Sequence, residues 1–87
     1  MQRVEIYTTP TCPYCAAAKR LLAKKGVSYE ETDVSRDPAL RAAMTQRANG
    51  RRTVPQIFIG GRHVGGSDDL HALDDAGKLD PMLRALA

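Results

Sequence analysis

Cys12 and Cys15 stand where a pattern typical of a strand changes to one typical of a helix. The alternation within Val4–Thr8 predicts a strand, and helical spacing of apolar residues follows from residue 13 to about 25. A second short strand is predicted over residues 27–34. Parallel strands joined through a helix require a right-handed crossover. The first half of the chain is therefore predicted to form a βαβ unit.

The second half of the chain carries its own start and stop signals. Asp37–Pro38 is typical of a helix N-terminus, and this helix is predicted to end near Asn49–Gly50. Gly60–Gly61 between two short apolar runs predicts a hairpin, because a type I′ turn needs positive φ at both central residues. Ser67 is predicted to cap a third helix, and Asp80–Pro81 to start a fourth.

The predicted order β-α-β-α-β-β-α-α belongs to the α/β class, with a four-stranded mixed sheet flanked by helices. A length of 87 residues suits one domain and not two, so residues 1–87 are predicted to be a single domain. The second helix is predicted to present a stripe of Leu40, Ala43, Met44 and Arg47. The core is predicted to include Tyr7, Leu21, Leu22, Met44, Phe58, Leu70 and Leu73.

Charge and hydropathy limit the partners and the location of the chain. The net charge is +3, and the basic residues do not form the dense face, interleaved with aromatics, that nucleic-acid binding needs. No apolar run approaches the roughly 20 residues of a membrane span, and the N-terminal residues do not resemble a secretory signal. We therefore expect a cytoplasmic monomer with neither a nucleic-acid nor a membrane partner.

The cysteine pair needs a chemical explanation, because a disulfide between near neighbours stabilises little and structural disulfides are uncommon in the cytosol. Thr11 is the predicted N-cap, which places Cys12 among backbone N–H groups that lack helical partners. These donors and the helix dipole favour a thiolate. We predict that Cys12 attacks a disulfide and that the deeper Cys15 resolves the mixed disulfide.

A structural zinc site and inert core thiols are the two other uses of such a pair. Zinc usually takes four ligands, and the chain has no second cysteine pair. His63 and His71 also lie outside the usual spacing of paired histidine ligands. Burial of an inert Cys12 is disfavoured at the start of a helix. Neither a metal nor a permanently bound cofactor is expected.

Three separated motifs lie along the chain: Cys12-Pro13-Tyr14-Cys15 after the strand Val4–Tyr7, then Thr53–Ile59, then Gly65–Leu70. In this order they resemble the motifs of the glutaredoxin family, and the chain is similar to small bacterial dithiol members over nearly its whole length. The resemblance implies a thioredoxin-like fold in its compact four-stranded form. It also implies glutathione as a co-substrate.

The resemblance further implies which residues bind glutathione. Pro55 is implied to be cis, and the main chain of Val54, beside Thr53, is implied to pair with the cysteine of glutathione. Tyr14 is implied to flank the substrate sulfur. Without the resemblance, Pro55 is an ordinary strand-entry proline and Tyr14 a packing residue.

Gly66, Ser67 and Asp68 begin the third predicted helix. Backbone N–H groups there can hold a carboxylate, and the Asp68 side chain can hold an ammonium group. The γ-glutamyl end of glutathione presents both groups. The simpler use of Ser67 and Asp68 is to cap the helix.

Arg47, Arg51 and Arg52 are candidates for the glycine carboxylate of glutathione, because arginine binds carboxylates in a bidentate manner. Arg47 and Arg52 are the tentative choices. Many family members carry a lysine just before the first cysteine, whereas this chain has only threonines and a proline over Thr8–Thr11. The way the glycine end is held therefore stays open.

The expected activity is reduction of protein disulfides and glutathione mixed disulfides, with ribonucleotide reductase among the candidate partners. One alternative is a thioredoxin-like electron donor reduced by a flavoenzyme, which the missing lysine favours. Another is an iron–sulfur carrier that uses Cys12 and glutathione as ligands. Cys15 argues against that carrier, because an internal disulfide competes for the ligand thiol. A protein-binding module leaves both thiols unexplained.

Overall fold

The computed structural model describes residues 3–86; Met1, Gln2 and Ala87 of the predicted domain lie outside them. The elements are β1 (Val4–Thr8), α1 (Pro13–Lys24), β2 (Tyr29–Asp33), α2 (Pro38–Arg47), β3 (Gln56–Ile59), β4 (Arg62–Gly65), α3 (Ser67–Asp75) and α4 (Leu79–Arg84). This order confirms the predicted one, with boundaries that differ by a few residues. No helix within 3–86 is long and apolar enough to cross a membrane.

The sheet has the strand order β2-β1-β3-β4, with β1 parallel to β2 and antiparallel to β3. The predicted four-stranded mixed sheet is therefore confirmed. Gly60 and Gly61 join β3 to β4 with φ angles of 59° and 82°, as a type I′ turn requires. In the pairing of β1 with β3, Tyr7 lies opposite Gln56. The end of β1 and the start of β3 therefore meet at one end of the sheet.

One face of the sheet carries the main apolar core, to which α1, α3 and α4 contribute. Its buried members are aliphatic: Val4, Ile6, Ala18, Leu21, Leu22, Ile57, Ile59, Leu70, Leu79 and Leu83. Leu21, Leu22 and Leu70 are buried as predicted, whereas Leu73 is only partly buried at the margin of this core. This packing fixes α1 and α3 beside each other.

The opposite face of the sheet is more polar and is covered by α2. Arg47 donates from both terminal nitrogens to the Glu5 carboxylate, at 2.7 and 2.9 Å, and from one of them to the Tyr7 hydroxyl at 3.2 Å. Its guanidinium lies 4.0 Å from the centre of the buried Phe58 ring. A bidentate ion pair combined with a cation–π contact holds α2 against the sheet. Tyr7, predicted to be core, is only half-buried here.

The predicted apolar stripe of α2 is wrong for two residues, because Leu40 and Ala43 are exposed. Leu40 is 39% exposed, and Met44 is the residue of α2 that is buried. The ion pair anchors the helix at Arg47, near its C-terminal end. Leu40, almost two turns earlier, is not drawn into the core.

Glu5→Gln is expected to lower the free energy of unfolding by about 1–3 kcal/mol at pH 7, because it removes a charge-assisted hydrogen-bonded pair. Arg47 holds the pKa of Glu5 below its ordinary value of 4.5, although burial opposes this shift. The stabilisation is therefore present above that value and is lost as the pH falls through the folded-state pKa. Urea unfolding should show the difference from wild type shrinking as the pH is lowered below 4.5.

Glu30→Gln is the matched control, because Glu30 pairs with Arg3 at the surface and its side chain is 61% exposed. It should change the unfolding free energy by less than about 0.5 kcal/mol. Equal effects of the two substitutions would contradict a special role for the Arg47 pair.

Candidate active site

Cys12 is the N-cap of α1, so the prediction that Thr11 caps this helix is wrong. Cys12 has an extended backbone, with φ −104° and ψ 110°, and Pro13 follows as the first helical residue. The fixed φ of proline suits that position, which makes the preceding residue the cap. The Cys12 sulfur accepts a hydrogen bond from the Cys15 N–H at 3.1 Å. The Cys12 sulfur therefore lies at the positive end of the α1 dipole, against a backbone N–H donor.

The two cysteines occupy unlike environments. Cys15 is 1% exposed, whereas Cys12 is half-buried, and both are free thiols. Burial raises the pKa of Cys15 to about 12, with a further contribution from its hydrogen bond to Cys12. At neutral pH the Cys15 thiol therefore keeps its proton. Within residues 3–86, no three side chains of the metal-binding types gather where they could hold a metal ion.

Val54 brings a second motif to Cys12. The Cys12 sulfur lies 3.7 Å from the Val54 carbonyl oxygen, to which the protonated thiol donates. The Val54–Pro55 peptide bond is cis, which confirms what the resemblance implied. The two motifs meet because the end of β1 lies beside the start of β3.

A cavity of about 250 Å³ opens beside this pair of motifs. All the residues predicted to bind glutathione line this cavity, except Arg47 and Arg52. The lining consists of Tyr14, Arg51, Thr53, Val54, Pro55, Gly66, Ser67, Asp68 and Asp69. Tyr14 is 64% exposed, the most exposed of the large hydrophobic residues in the described part of the chain. Three separated motifs thus line one depression.

Asp69 organises the wall formed by α3, a role that the sequence analysis missed. Gly66 is the N-cap of α3 and Ser67 its first residue, so the prediction of a Ser67 cap is wrong. The Asp69 carboxylate accepts from the Gly66 N–H at 2.8 Å and from Arg51 Nη1 at 2.9 Å. Arg51, and then the Gly66 N–H, hold the pKa of Asp69 below its ordinary value. An acidic residue three positions after a glycine cap was the available signal.

Gly65 is required beside this carboxylate. Its φ is +120°, and a Cβ atom there would collide with the side chains of Asp69 and Arg51. Only glycine combines that backbone angle with so close an approach.

Arg47 and Arg52, the tentative residues for the glycine carboxylate, do not line the cavity. Arg47 lies on the α2 face of the sheet, committed to Glu5 and Tyr7. Arg52 is exposed and borders a different groove, beside Arg41. Of the three candidate arginines, Arg51 is the one at the cavity wall.

Limiting iodoacetamide at pH 7 is expected to modify Cys12 at least about tenfold faster than Cys15, because the thiolate is the reactive form and Cys15 is buried and protonated. Peptide mass spectrometry would locate the label. In guanidinium chloride the two rates should become similar, which serves as the control. Equal labelling of the folded protein would contradict the assigned difference between the cysteines.

Comparison with known proteins places this geometry in a family. The family model "Glutaredoxin" matches residues 4–64. Glutaredoxin 3 of Escherichia coli (strain K12) is 56% identical over 84 residues, covering 97% of this chain and all of that protein.

Solved structures agree with this match. The solution structure of glutaredoxin from Brucella melitensis has a TM-score of 0.83 at 61% identity, covering 95% of this chain and 89% of that one. The crystal structure of a buckwheat glutaredoxin-glutathione complex has a TM-score of 0.88 at 34% identity, covering 97% and 78%. The chain therefore belongs to the glutaredoxin family and has its thioredoxin-like fold.

Proposed function

We propose that this thiol–disulfide oxidoreductase depends on glutathione, with Cys12 as nucleophile and Cys15 as resolving thiol. The observation that carries the proposal is the placement of the Cys12 sulfur between the Cys15 N–H and the Val54 carbonyl, since Val54 also lines the cavity. The attacking sulfur therefore lies where a ligand in the cavity can present its own sulfur.

The first proposed route uses Cys12 alone. Its thiolate attacks the glutathione sulfur of a mixed disulfide, a Cys12–glutathione disulfide forms, and the substrate leaves as a thiolate that takes a proton from water. A glutathione thiolate then attacks the adduct, releasing glutathione disulfide and the Cys12 thiolate. Stabilisation of the Cys12 thiolate by the Cys15 N–H makes it a good leaving group in this second step.

The second proposed route also uses Cys15 and reduces protein disulfides. The Cys12 thiolate attacks one sulfur of the protein disulfide, forming a mixed disulfide, and the other substrate sulfur leaves as a thiolate that takes a proton from water. Cys15 then attacks the Cys12 sulfur, which closes the Cys12–Cys15 disulfide and expels the substrate sulfur that was bound to Cys12. Because burial raises the pKa of Cys15 to about 12, its proton leaves only as the attack proceeds, and the departing thiolate can accept it. Two glutathione molecules then reduce the Cys12–Cys15 disulfide.

The cavity walls match the chemical groups of glutathione. The first turn of α3 offers the N–H groups of Ser67 and Asp68 to a carboxylate, and the exposed Asp68 side chain is available to an ammonium group. Thr53 and Val54 line the same cavity, where their main chain can pair with a peptide backbone. The buckwheat glutaredoxin-glutathione complex, similar over 97% of this chain, supports the same ligand.

In the proposal, Arg51 replaces Arg47 and Arg52 as the arginine that offers positive charge to a carboxylate of glutathione. It lies at the cavity wall, and its bond to Asp69 fixes its direction. This arginine provides positive charge in a chain that has Thr8–Thr11 where many relatives carry a lysine.

Cys15→Ser is expected to retain turnover of a small glutathione mixed disulfide and to lose reduction of a protein disulfide, whereas Cys12→Ser loses both. The assay couples excess glutathione to glutathione reductase and follows consumption of NADPH. Absence of turnover by the wild type would reject glutathione dependence. Reduction by a flavoenzyme in that case would favour the thioredoxin-like alternative.

Asp68→Asn is expected to raise the KM for the glutathione mixed disulfide about tenfold, because a charge-assisted hydrogen bond to the ammonium group is lost. The value of kcat should change little, since Asp68 is remote from the reacting sulfurs in this proposal. Asp75→Asn, an exposed residue at the other end of α3, is the matched control. Unchanged KM in Asp68→Asn would remove this residue from the binding site.

A further inference from the structure

Gln56 is a fully buried polar residue that does not line the cavity. It is the first residue of β3, and its relative exposure is 0%. An amide buried without hydrogen-bond partners would be costly. The partners of its side chain therefore show what this residue holds in place.

The Gln56 side chain turns back along the chain and binds Thr53. Its Nε2 donates to the Thr53 carbonyl oxygen at 2.9 Å and lies 3.2 Å from the Thr53 hydroxyl oxygen. The next residue, Val54, carries the carbonyl that lies 3.7 Å from the Cys12 sulfur. The Gln56 amide thus fixes the main chain at Thr53. The following residue, Val54, contacts Cys12 and lines the cavity.

His63 on β4 fixes the other end of this amide. Its Nε2 lies 2.7 Å from Gln56 Oε1, and because an amide oxygen only accepts, the His63 Nε2 carries the proton. Nδ1 can then accept from Asn49 Nδ2 at 3.5 Å. The neutral form protonated on Nε2 satisfies both ring nitrogens.

The surroundings of His63 favour this neutral form. Burial and the positive charge of Arg51 lower the pKa of His63, against a smaller opposing effect of Asp69. The ring also packs on Phe58, with centroids 5.0 Å apart. Packing and hydrogen bonding together therefore hold the ring in one position.

We propose that His63 and Gln56 are positioning residues, a hydrogen-bonded relay that fixes the main chain of Thr53 and Val54 at the cavity wall. Neither residue lines the cavity, so any effect on ligand binding passes through the segment they hold. The identity of the ligand rests on the proposed function, whereas the relay itself rests on the hydrogen bonds of Gln56.

Two substitutions at position 63 separate hydrogen bonding from packing. His63→Phe keeps a ring against Phe58 and removes the Nε2 donor. His63→Gln removes the ring and supplies an amide N–H at a similar distance along the side chain. If the relay matters, His63→Phe is impaired and His63→Gln is close to wild type.

The first readout is local and needs no ligand. Backbone ¹⁵N relaxation in His63→Phe should lower the order parameter of the Val54 amide from about 0.85, the value for rigid backbone, toward 0.6, the upper limit for flexible backbone. The Ile6 amide at the centre of the sheet should not change. Unchanged order at Val54, or failure of His63→Gln to restore it, would overturn the proposal.

The second readout is binding of S-methylglutathione, whose blocked sulfur cannot exchange, measured by calorimetry. The dissociation constant should rise about fivefold in His63→Phe, as expected for one lost hydrogen bond, and return in His63→Gln. An unchanged dissociation constant in His63→Phe would show that the relay does not contribute to ligand binding. If the wild type does not bind S-methylglutathione, the proposed function fails, and the order parameters still decide whether the relay exists.

The wild type supplies a test that does not depend on any variant folding. The ¹⁵N shifts of the His63 ring at pH 8 should report a ring that carries its proton on Nε2. A neutral ring with its proton on Nδ1 would overturn the relay, because Gln56 Oε1 would then lack its donor.

Discussion

The antiparallel pairing of β1 with β3 is the constraint on which the site depends. With Tyr7 opposite Gln56, the chain that leaves β1 toward Cys12 runs beside the chain that enters β3 through Val54 and Pro55. Residues more than forty positions apart, Cys12 and Val54, are thereby brought within one hydrogen bond. A shift of one residue in this register would turn the side chains of β3 to the opposite faces and separate the two motifs.

The two faces of the sheet contribute to the site in different ways. The aliphatic face holds α1 and α3, whose N-termini provide the Cys12 cap and the Gly66 wall of the cavity. The α2 face holds a layer of polar and aromatic side chains, in which Arg47 contacts Phe58 and Phe58 contacts His63. Apolar packing therefore determines where the site lies in the fold. Hydrogen bonds on the α2 face determine the course of the main chain at Thr53.

Features decided by neighbouring residues were predictable from the sequence. The helix start at Asp37–Pro38, the turn at Gly60–Gly61 and the placement of the cysteine pair between a strand and a helix follow from local geometry. The expectations of a cis peptide bond and of a set of glutathione-binding residues came from the resemblance, since local chemistry left both open.

Long side chains with distant partners were not predictable in this way. Arg47 meets Glu5, and Arg51 meets Asp69, only after the chain has folded, so the sequence could not say which arginine would reach the cavity. The cap of α1 was misassigned to Thr11 because threonine oxygen is the commoner cap. Cys12 itself caps the helix, with sulfur as the acceptor.

The position of the Cys12 sulfur as helix cap also links its protonation to the hydrogen bonding of Val54. The Cys12 sulfur has two hydrogen bonds of opposite polarity, one received from the Cys15 N–H and one given to the Val54 carbonyl. Loss of the proton abolishes the bond to Val54 and strengthens the bond from Cys15. Ionisation therefore also frees an acceptor lone pair on the Val54 carbonyl, so a single proton determines both the charge of the Cys12 sulfur and the hydrogen bonds still available at Val54.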